Sequence, residues 1–265
     1  MRHDPGAERP EWLQQNAAIR FDWGRAGAAR SAAAGCITVI VDTLSFSTIV
    51  AVAVQRGIAV VPAISDDEAD AIARATAFRR TVSRTGAPSG ALTLSPASMR
   101  DAVDVSRAVV VHSPNGARCT RAADGAPAVF VGTLVNASAT AAAVDALARS
   151  SGCNVTVIAC GERWHRAEHD EGLRFAIEDL LGAGAIIARL TGECAPEAEI
   201  AARAYHASAG DLAMLIAASG SGRELASTGF AEDVRIASAL DSCDCAAVVG
   251  DGSAGRAIYA ADAVR

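Results

Sequence analysis

Hydrophobic positions along the chain switch repeatedly between short β-branched runs and longer Ala-rich stretches with helical spacing. The cleanest switch lies at 36–54, CITVIVDTLSFSTIVAVAV. Ile37, Thr38, Val39, Ile40 and Val41 read as a buried strand. Asp42 stands where that run ends, and Thr43, Leu44 and Ser45 make a short polar turn. The apolar segment from Phe46 to Gln55, stopped at Gly57, suits a helix.

The unit recurs. Residues 58–61 read as a strand ended by Pro62, and Ser65 with Glu68 makes a capping box opening a helix to about Arg80. Residues 81–100, rich in Ser, Pro and Gly, form a long loop of the kind that often carries function. A strand at 108–111 runs into His112-Ser113-Pro114-Asn115-Gly116 and a helix at 117–123. A strand at 129–131 leads through Gly132-Thr133 to an Ala-rich helix over about 136–149, and a strand at 155–159 leads to Cys160-Gly161-Glu162-Arg163. Beyond Leu173 helices are expected at 174–190, 196–207, 211–218, 222–227 and 231–240, then a last strand at 246–249. Strands alternating with helices over two-thirds of the length indicate an α/β protein with a largely parallel sheet and a mostly helical final third. No repeat or linker divides the chain, so one domain spanning 1–265 is expected, with 1–18 as a mobile polar lead.

Composition narrows the chemistry. With 51% hydrophobic but 4% aromatic residues, the core must be built from Ala, Val, Leu and Ile. All 24 basic residues counted as Lys or Arg are Arg, which removes Schiff-base chemistry and the P-loop and kinase lysines. A phosphate clamp must then use Arg, backbone N–H groups or a metal. The net charge of −6 offers no footprint for nucleic acid, and no apolar run approaches the length of a membrane span. Seven scattered cysteines without a C-x-x-C pair, and a polar N-terminus, point to a reduced, cytoplasmic protein.

In open α/β sheets ligands bind outside the carboxyl ends of the strands. That places Asp42, Asn115, Thr133 and Glu162 with Arg163 along one expected edge. Asp42 suits either a hard cation beside a phosphate-binding helix start or a plain turn. Ser47 and Thr48 suit phosphate donors or first-turn caps, Asn115-Gly116 a ligand loop or a turn, and Arg118 a bidentate clamp or solvent. In FAIEDLLGAGAII, Glu178 and Asp179 interrupt an apolar helix, with Glu178 on one stripe with Phe175, Leu181 and Gly182. A carboxylate there is costly unless paired or metal-bound. Gly182 and Gly184 allow close approach of another element.

Three patterns read as decoys. His165-Arg166-Ala167-Glu168-His169 matches an inverted zinc-protease signature but lies in a charged stretch with no apolar stripe. Ser219-Gly220-Ser221-Gly222-Arg223 follows no strand and is not a dinucleotide fingerprint. Asp42-Thr43-Leu44-Ser45 begins like a dehalogenase-type nucleophile motif but lacks its second Asp.

On these residues the chain resembles the 2-phosphosulfolactate phosphatase family over about 20–250. VDTLSFST (41–48) is similar to DVLRFST, SPNGAR (113–118) to TTNGTR, and IEDLLGAGAI (177–186) to a LED-x-x-x-AGAI stretch. GTLVNA (132–137) and SGRELASTGFAEDV (221–234) continue the match. The resemblance implies a three-layer α/β/α fold with a largely parallel or mixed sheet, and a Mg²⁺-dependent hydrolase that removes phosphate from 2-phospho-3-sulfolactate, a step toward coenzyme M. Asp42, Asn115, Glu178 and Asp179 fall on its motif positions. Two positions depart from the pattern: Ser45 stands where the family has Arg, and Leu94-Ser95-Pro96 stands for NSP.

The resulting expectation is phosphomonoester hydrolysis by water. Asp42, Glu178 and Asp179 are the metal ligands, with Asn115 beside them in the catalytic set. Ser47, Thr48, Gly116, Arg118 and Arg163 bind the substrate, a small phosphorylated acid. A family member that binds a small anion without turnover, a phosphatase for another phospho-acid, and a homodimer stay open as alternatives.

Overall fold

The β-branched run Ile37–Val41 has no polar face, and all five of its residues are buried, as in a strand covered on both sides. A computed structural model describes residues 9–105, 107–164, 172–252 and 254–263. Among these the strands are β1 (Ile19–Trp23), β2 (Ile37–Val41), β3 (Ala59–Ala63), β4 (Arg79–Arg80), β5 (Ala108–His112), β6 (Val129–Val131), β7 (Val155–Ala159), β8 (Glu162–Arg163), β9 (Leu173–Arg174), β10 (Ala247–Gly252) and β11 (Gly255–Ala260). The α-helices are α1 (Gly24–Ala33), α2 (Phe46–Gln55), α3 (Asp66–Thr76), α4 (Pro96–Asp101), α5 (Gly116–Ala122), α6 (Ala137–Ser151), α7 (Ile177–Ile187), α8 (Pro196–Ser208), α9 (Leu212–Ala218), α10 (Gly220–Ser227) and α11 (Ala231–Ala237). None of the described helices is long and apolar enough to cross a membrane.

Nine strands form one mixed sheet in the order β1-β7-β2-β6-β10-β11-β3-β5-β4, and β8 pairs with β9 apart from it. Alternating residues feed two cores. Ile37, Val39 and Val41 face α6, α7 and α8, while Ile40, Val131 and Ile158 face α1, α2 and α5. The result is the three-layer α/β/α arrangement.

The sheet is not parallel throughout. β1, β7, β2 and β6 run together, the antiparallel hairpin β10–β11 follows, and β3, β5 and β4 form a second parallel block of opposite direction. The single-edge expectation therefore describes β2, β6 and β7 but not β5. The end of β5 still reaches Asp42, because twist of roughly 20–25° per neighbour accumulates over the intervening strands. The sheet curls around α2, which is buried from Phe46 through Val54 and touches β3, β6, β10 and β11.

Local departures have local causes. Ser65 caps α3 through the Glu68 N–H at 3.2 Å, but the Glu68 carboxylate reaches past Ser65 to the Ile64 N–H at 2.7 Å. α3 stops at Thr76, where Ala77 turns left-handed, so Arg79 and Arg80 are free to form β4. α7 begins at Ile177, which removes Phe175 from the expected stripe; its ring is 60% exposed and packs 5.3 Å from that of Trp23. Pro10–Leu13 forms a 3-10 turn, and the Gln14 side chain brackets the Phe21 backbone, accepting its N–H at 3.0 Å and donating to its carbonyl at 2.8 Å. That pair ties the N-terminal segment to β1.

Packing of α7 on α8 depends on Gly184, where an added Cβ would strike the Ala201 carbonyl. Gly184→Ala should lower the unfolding free energy by about 1–3 kcal/mol through overpacking. Gly210→Ala, with no atom within 4 Å of the new carbon, should not be destabilising. Urea unfolding of the two variants checks this; equal effects would contradict it.

Candidate active site

Asp42 ends β2 and is only 6% exposed. Its Oδ1 accepts the Phe46 N–H at 3.2 Å and its Oδ2 accepts the Gly116 N–H at 2.9 Å. The second bond requires glycine, because a Cβ at 116 would overlap the Phe46 ring. Ser47 and Thr48 hold this turn from below. Ser47 Oγ accepts the Asp42 N–H at 2.9 Å and donates to the Ile40 carbonyl at 3.2 Å, and Thr48 Oγ1 donates to the Thr43 carbonyl at 2.7 Å. Both hydroxyls are fully buried, committed to the backbone rather than open to a ligand. Gly116 is likewise occupied, its N–H shared between Asp42 and Ser113 Oγ.

The first turn of α7 closes on the same place. Asp179 Oδ1 accepts the Thr43 N–H at 2.7 Å, and Oδ2 accepts the Gly161 N–H at 2.8 Å, so one carboxylate clamps the chain just beyond β2 and β7. Thr43 Oγ1 donates to the Glu178 carbonyl at 3.0 Å and accepts from Thr133 Oγ1 at 3.1 Å. Gly182 allows this approach, since a Cβ there would lie 2.6 Å from Thr43 Oγ1. Glu178 is 2% exposed, and its Oε1 has no hydrogen-bond partner.

A fourth acid comes from β8. Glu162 Oε2 accepts the Asn115 amide at 3.0 Å and the Arg163 N–H at 3.3 Å. Burial and then the Asp42 and Glu178 carboxylates push the Glu162 carboxyl up to about 7, against the opposing pull of Arg174. Burial raises Asp42 to about 6; the Phe46 and Gly116 N–H groups oppose this and Glu178 adds to it. Burial and then Asp42 and Glu178 lift Asp179 well above the usual carboxylate range. Four acids thus press on one another beyond the end of β2.

The counter-charge comes from the long loop. Arg84 donates through Nη2 to Ser45 Oγ at 2.8 Å, to the Leu94 carbonyl and to Asp233 Oδ2 at 3.3 Å. Asp233, itself buried, also accepts Ser95 Oγ at 2.6 Å and the Ala97 N–H at 3.2 Å, pinning loop and α4 together. Neither Arg84 nor Asp233 was singled out in the sequence. Arg84 lies in the loop marked by its length, and Asp233 lies inside the SGRELASTGFAEDV stretch.

Two cavities flank Glu162 and Arg163. The smaller, about 290 Å³, is also lined by Asn115 and Arg118, and Arg118 Nε is buried without a partner. The larger, about 480 Å³, is lined by Arg84, Arg174 and Ser221. Among the described residues, no three His, Cys, Asp or Glu side chains form a ready cage for a metal. His165 and His169 lie outside the described residues. Ser219 caps α10 by accepting the Gly222 N–H at 2.9 Å.

A family model for 2-phosphosulpholactate phosphatase matches residues 26–252. The chain belongs to the 2-phosphosulfolactate phosphatase family. The match encloses Asp42, Arg84, Asn115, Glu162, Glu178, Asp179 and Asp233. A protein named probable 2-phosphosulfolactate phosphatase from Symbiobacterium thermophilum is 28% identical over 232 residues, covering 83% of this chain and 93% of that protein. One of the same name from Gloeobacter violaceus is 27% identical over 210 residues, covering 77% and 84% respectively. Family membership makes the chain a phosphoric monoester hydrolase.

Raised carboxyl pKa values make the native state bind more protons than the unfolded chain between about pH 4 and 7. Stability of the protein in chelator should therefore fall as pH rises from 5 to 7.5. Moving one carboxyl from near 4 to about 6 corresponds to about 3 kcal/mol in full, of which roughly half remains at pH 5, so Asp42→Asn should flatten the fall by about 1–2 kcal/mol. Urea midpoints across this range test it; a flat or rising profile in chelator would contradict the arrangement.

Proposed function

We propose that this site hydrolyses the phosphate monoester of a small acid, 2-phospho-3-sulfolactate by its family, with Mg²⁺ held by Asp42 and Glu178. The observation that carries the reading is Glu178 Oε1, a buried oxygen without a partner among acids that repel one another. Uncompensated buried charge costs several kcal/mol, and a hard divalent cation would remove that cost. The donors are all oxygens, as Mg²⁺ requires. That ion keeps several waters and takes one or two carboxylates plus phosphate oxygens, so a cage of three side chains is not needed. Bound there, it would draw charge from a phosphoryl oxygen.

The chain's own groups supply the rest. Asp179, with both oxygens on backbone N–H groups, keeps the loops after β2 and β7 in place. Arg118 and Arg163, with Asn115, line the smaller cavity and would hold the equatorial phosphoryl oxygens as charge develops. Glu162 would act as the general acid. Its Oε2 already accepts two N–H bonds, so its proton resides on Oε1 and passes from there to the leaving alkoxide oxygen. Water is the nucleophile, because both Asp42 oxygens are held by N–H donors. Ser45 does not strip the site of its cation, since the Arg84 guanidinium rests on the Ser45 hydroxyl. That contact weighs against a family member without turnover.

Phosphate release from 2-phospho-3-sulfolactate with Mg²⁺ tests the reading. Glu162→Gln should lower kcat by about 10²–10⁴-fold, the range for lost general acid catalysis. It should also remove the decline in kcat as pH rises through the Glu162 pKa, about 7 in the absence of a cation. Release from no small phospho-acid, or full activity in Glu162→Gln, would overturn it.

A further inference from the structure

We infer that Arg84 and Arg174 form a second anion-binding subsite, which takes the carboxylate or sulfonate tail of the phospho-acid. The assignment rests on the phosphatase reading above and adds the residues that select the substrate.

The larger cavity carries three guanidinium groups, from Arg84, Arg163 and Arg174, against two acids. One of those acids, Glu162, titrates near neutrality, and the other, Glu224, stands exposed at the rim. Among the described residues Arg174 is held without an ion-paired carboxylate, whereas Arg84 is paired with the buried Asp233 at 3.3 Å. Arg174 donates through Nη2 to Ser221 Oγ at 3.1 Å and lies 5.8 Å over the Trp164 ring. Among the described residues no carboxylate forms an ion pair with Arg163 or Arg174. Gly220 leaves room for Arg174, because a Cβ there would lie 3.2 Å from its Nη1. Arg84 uses Nη2 for Ser45, Leu94 and Asp233, lies 5.1 Å over the Phe230 ring, and buries an Nε that has no partner.

Planar forks fixed in this way match a planar or trigonal oxyanion in bidentate fashion. Glu162 and Arg163 line both cavities. A small molecule whose phosphoryl group sits beside Asn115 and Arg118 therefore extends its other end past Glu162 toward Arg84 and Arg174. The Gly-rich stretch at 219–223, the cap and first turn of α10 rather than a dinucleotide loop, becomes the wall that keeps Arg174 in place.

Two esters on one carbon skeleton isolate the tail: 2-phospholactate carries the carboxylate, and isopropyl phosphate replaces it with methyl. In Arg174→Gln the ratio of kcat/KM for the charged over the neutral ester should fall about tenfold or more, as for a lost charge-assisted hydrogen bond. Arg174→Lys should restore part of it. Arg84→Gln should lower the same ratio, with its melting temperature measured alongside because Asp233 loses a partner. An unchanged ratio in both glutamine variants, with phosphate still released, overturns the subsite and leaves the phosphatase reading standing. If neither these esters nor 2-phospho-3-sulfolactate is hydrolysed, the phosphatase reading fails, and calorimetric titration with 3-sulfolactate decides the subsite. Binding weakened tenfold or more in Arg174→Gln supports it; equal binding, or none to the unaltered protein, overturns it.

Discussion

Carboxylates repel one another most strongly where water is scarce, and that repulsion is what the surrounding structure is built to contain. Asp42, Asp179, Glu162 and Glu178 share a space at the end of β2, and three of them are raised by burial and by each other. Backbone N–H groups from Thr43, Phe46, Gly116, Gly161 and Arg163 point at them. These donors stabilise the charge only in part, since burial outweighs them at Asp42. Glu178 Oε1 receives nothing. Arg84, reaching in from the long loop, sets a positive charge against Asp42 and Glu162.

The architecture follows from keeping Asp42, Glu178 and Asp179 buried. α2 fills the curl of the sheet, so the Asp42 turn cannot drop inward. Gly116 and Gly182 let α5 and α7 come close enough for backbone groups to reach the acids. Asp233 performs a parallel task at a distance, holding Ser95, Ala97 and Arg84 so that a loop with little secondary structure delivers a guanidinium to a fixed place. Hydrogen-bonded acids and a pinned guanidinium thus sit side by side at the end of β2.

Much of this was legible in the chain because it depends on short-range pattern. The strand, acid and helix at 36–55 announce themselves by a change of hydrophobic period, and Glu178 and Asp179 by interrupting an apolar helix. What was not legible depends on direction or on distance. Periodicity carries no information on strand polarity, so the reversed block containing β5 was invisible. β11, Gly-Arg-Ala-Ile-Tyr-Ala, shows no alternation that separates it from a loop. Arg84 is one arginine among many in a Ser- and Gly-rich stretch, and its position is set by Asp233, 149 residues away. Ser47 and Thr48 stay ambiguous in the sequence for the converse reason: hydroxyls at a helix start look the same whether they face a ligand or the preceding turn.

The account stands or falls on whether the orphaned acid and its neighbour hold a divalent cation. Crystals soaked in Mn²⁺ and measured at the manganese absorption edge test this most directly. An anomalous peak bonded to the carboxylates of both Asp42 and Glu178, and absent in Glu178→Gln, is the result expected. A clean map with no peak at these two side chains, or with manganese confined to surface acids, would contradict it.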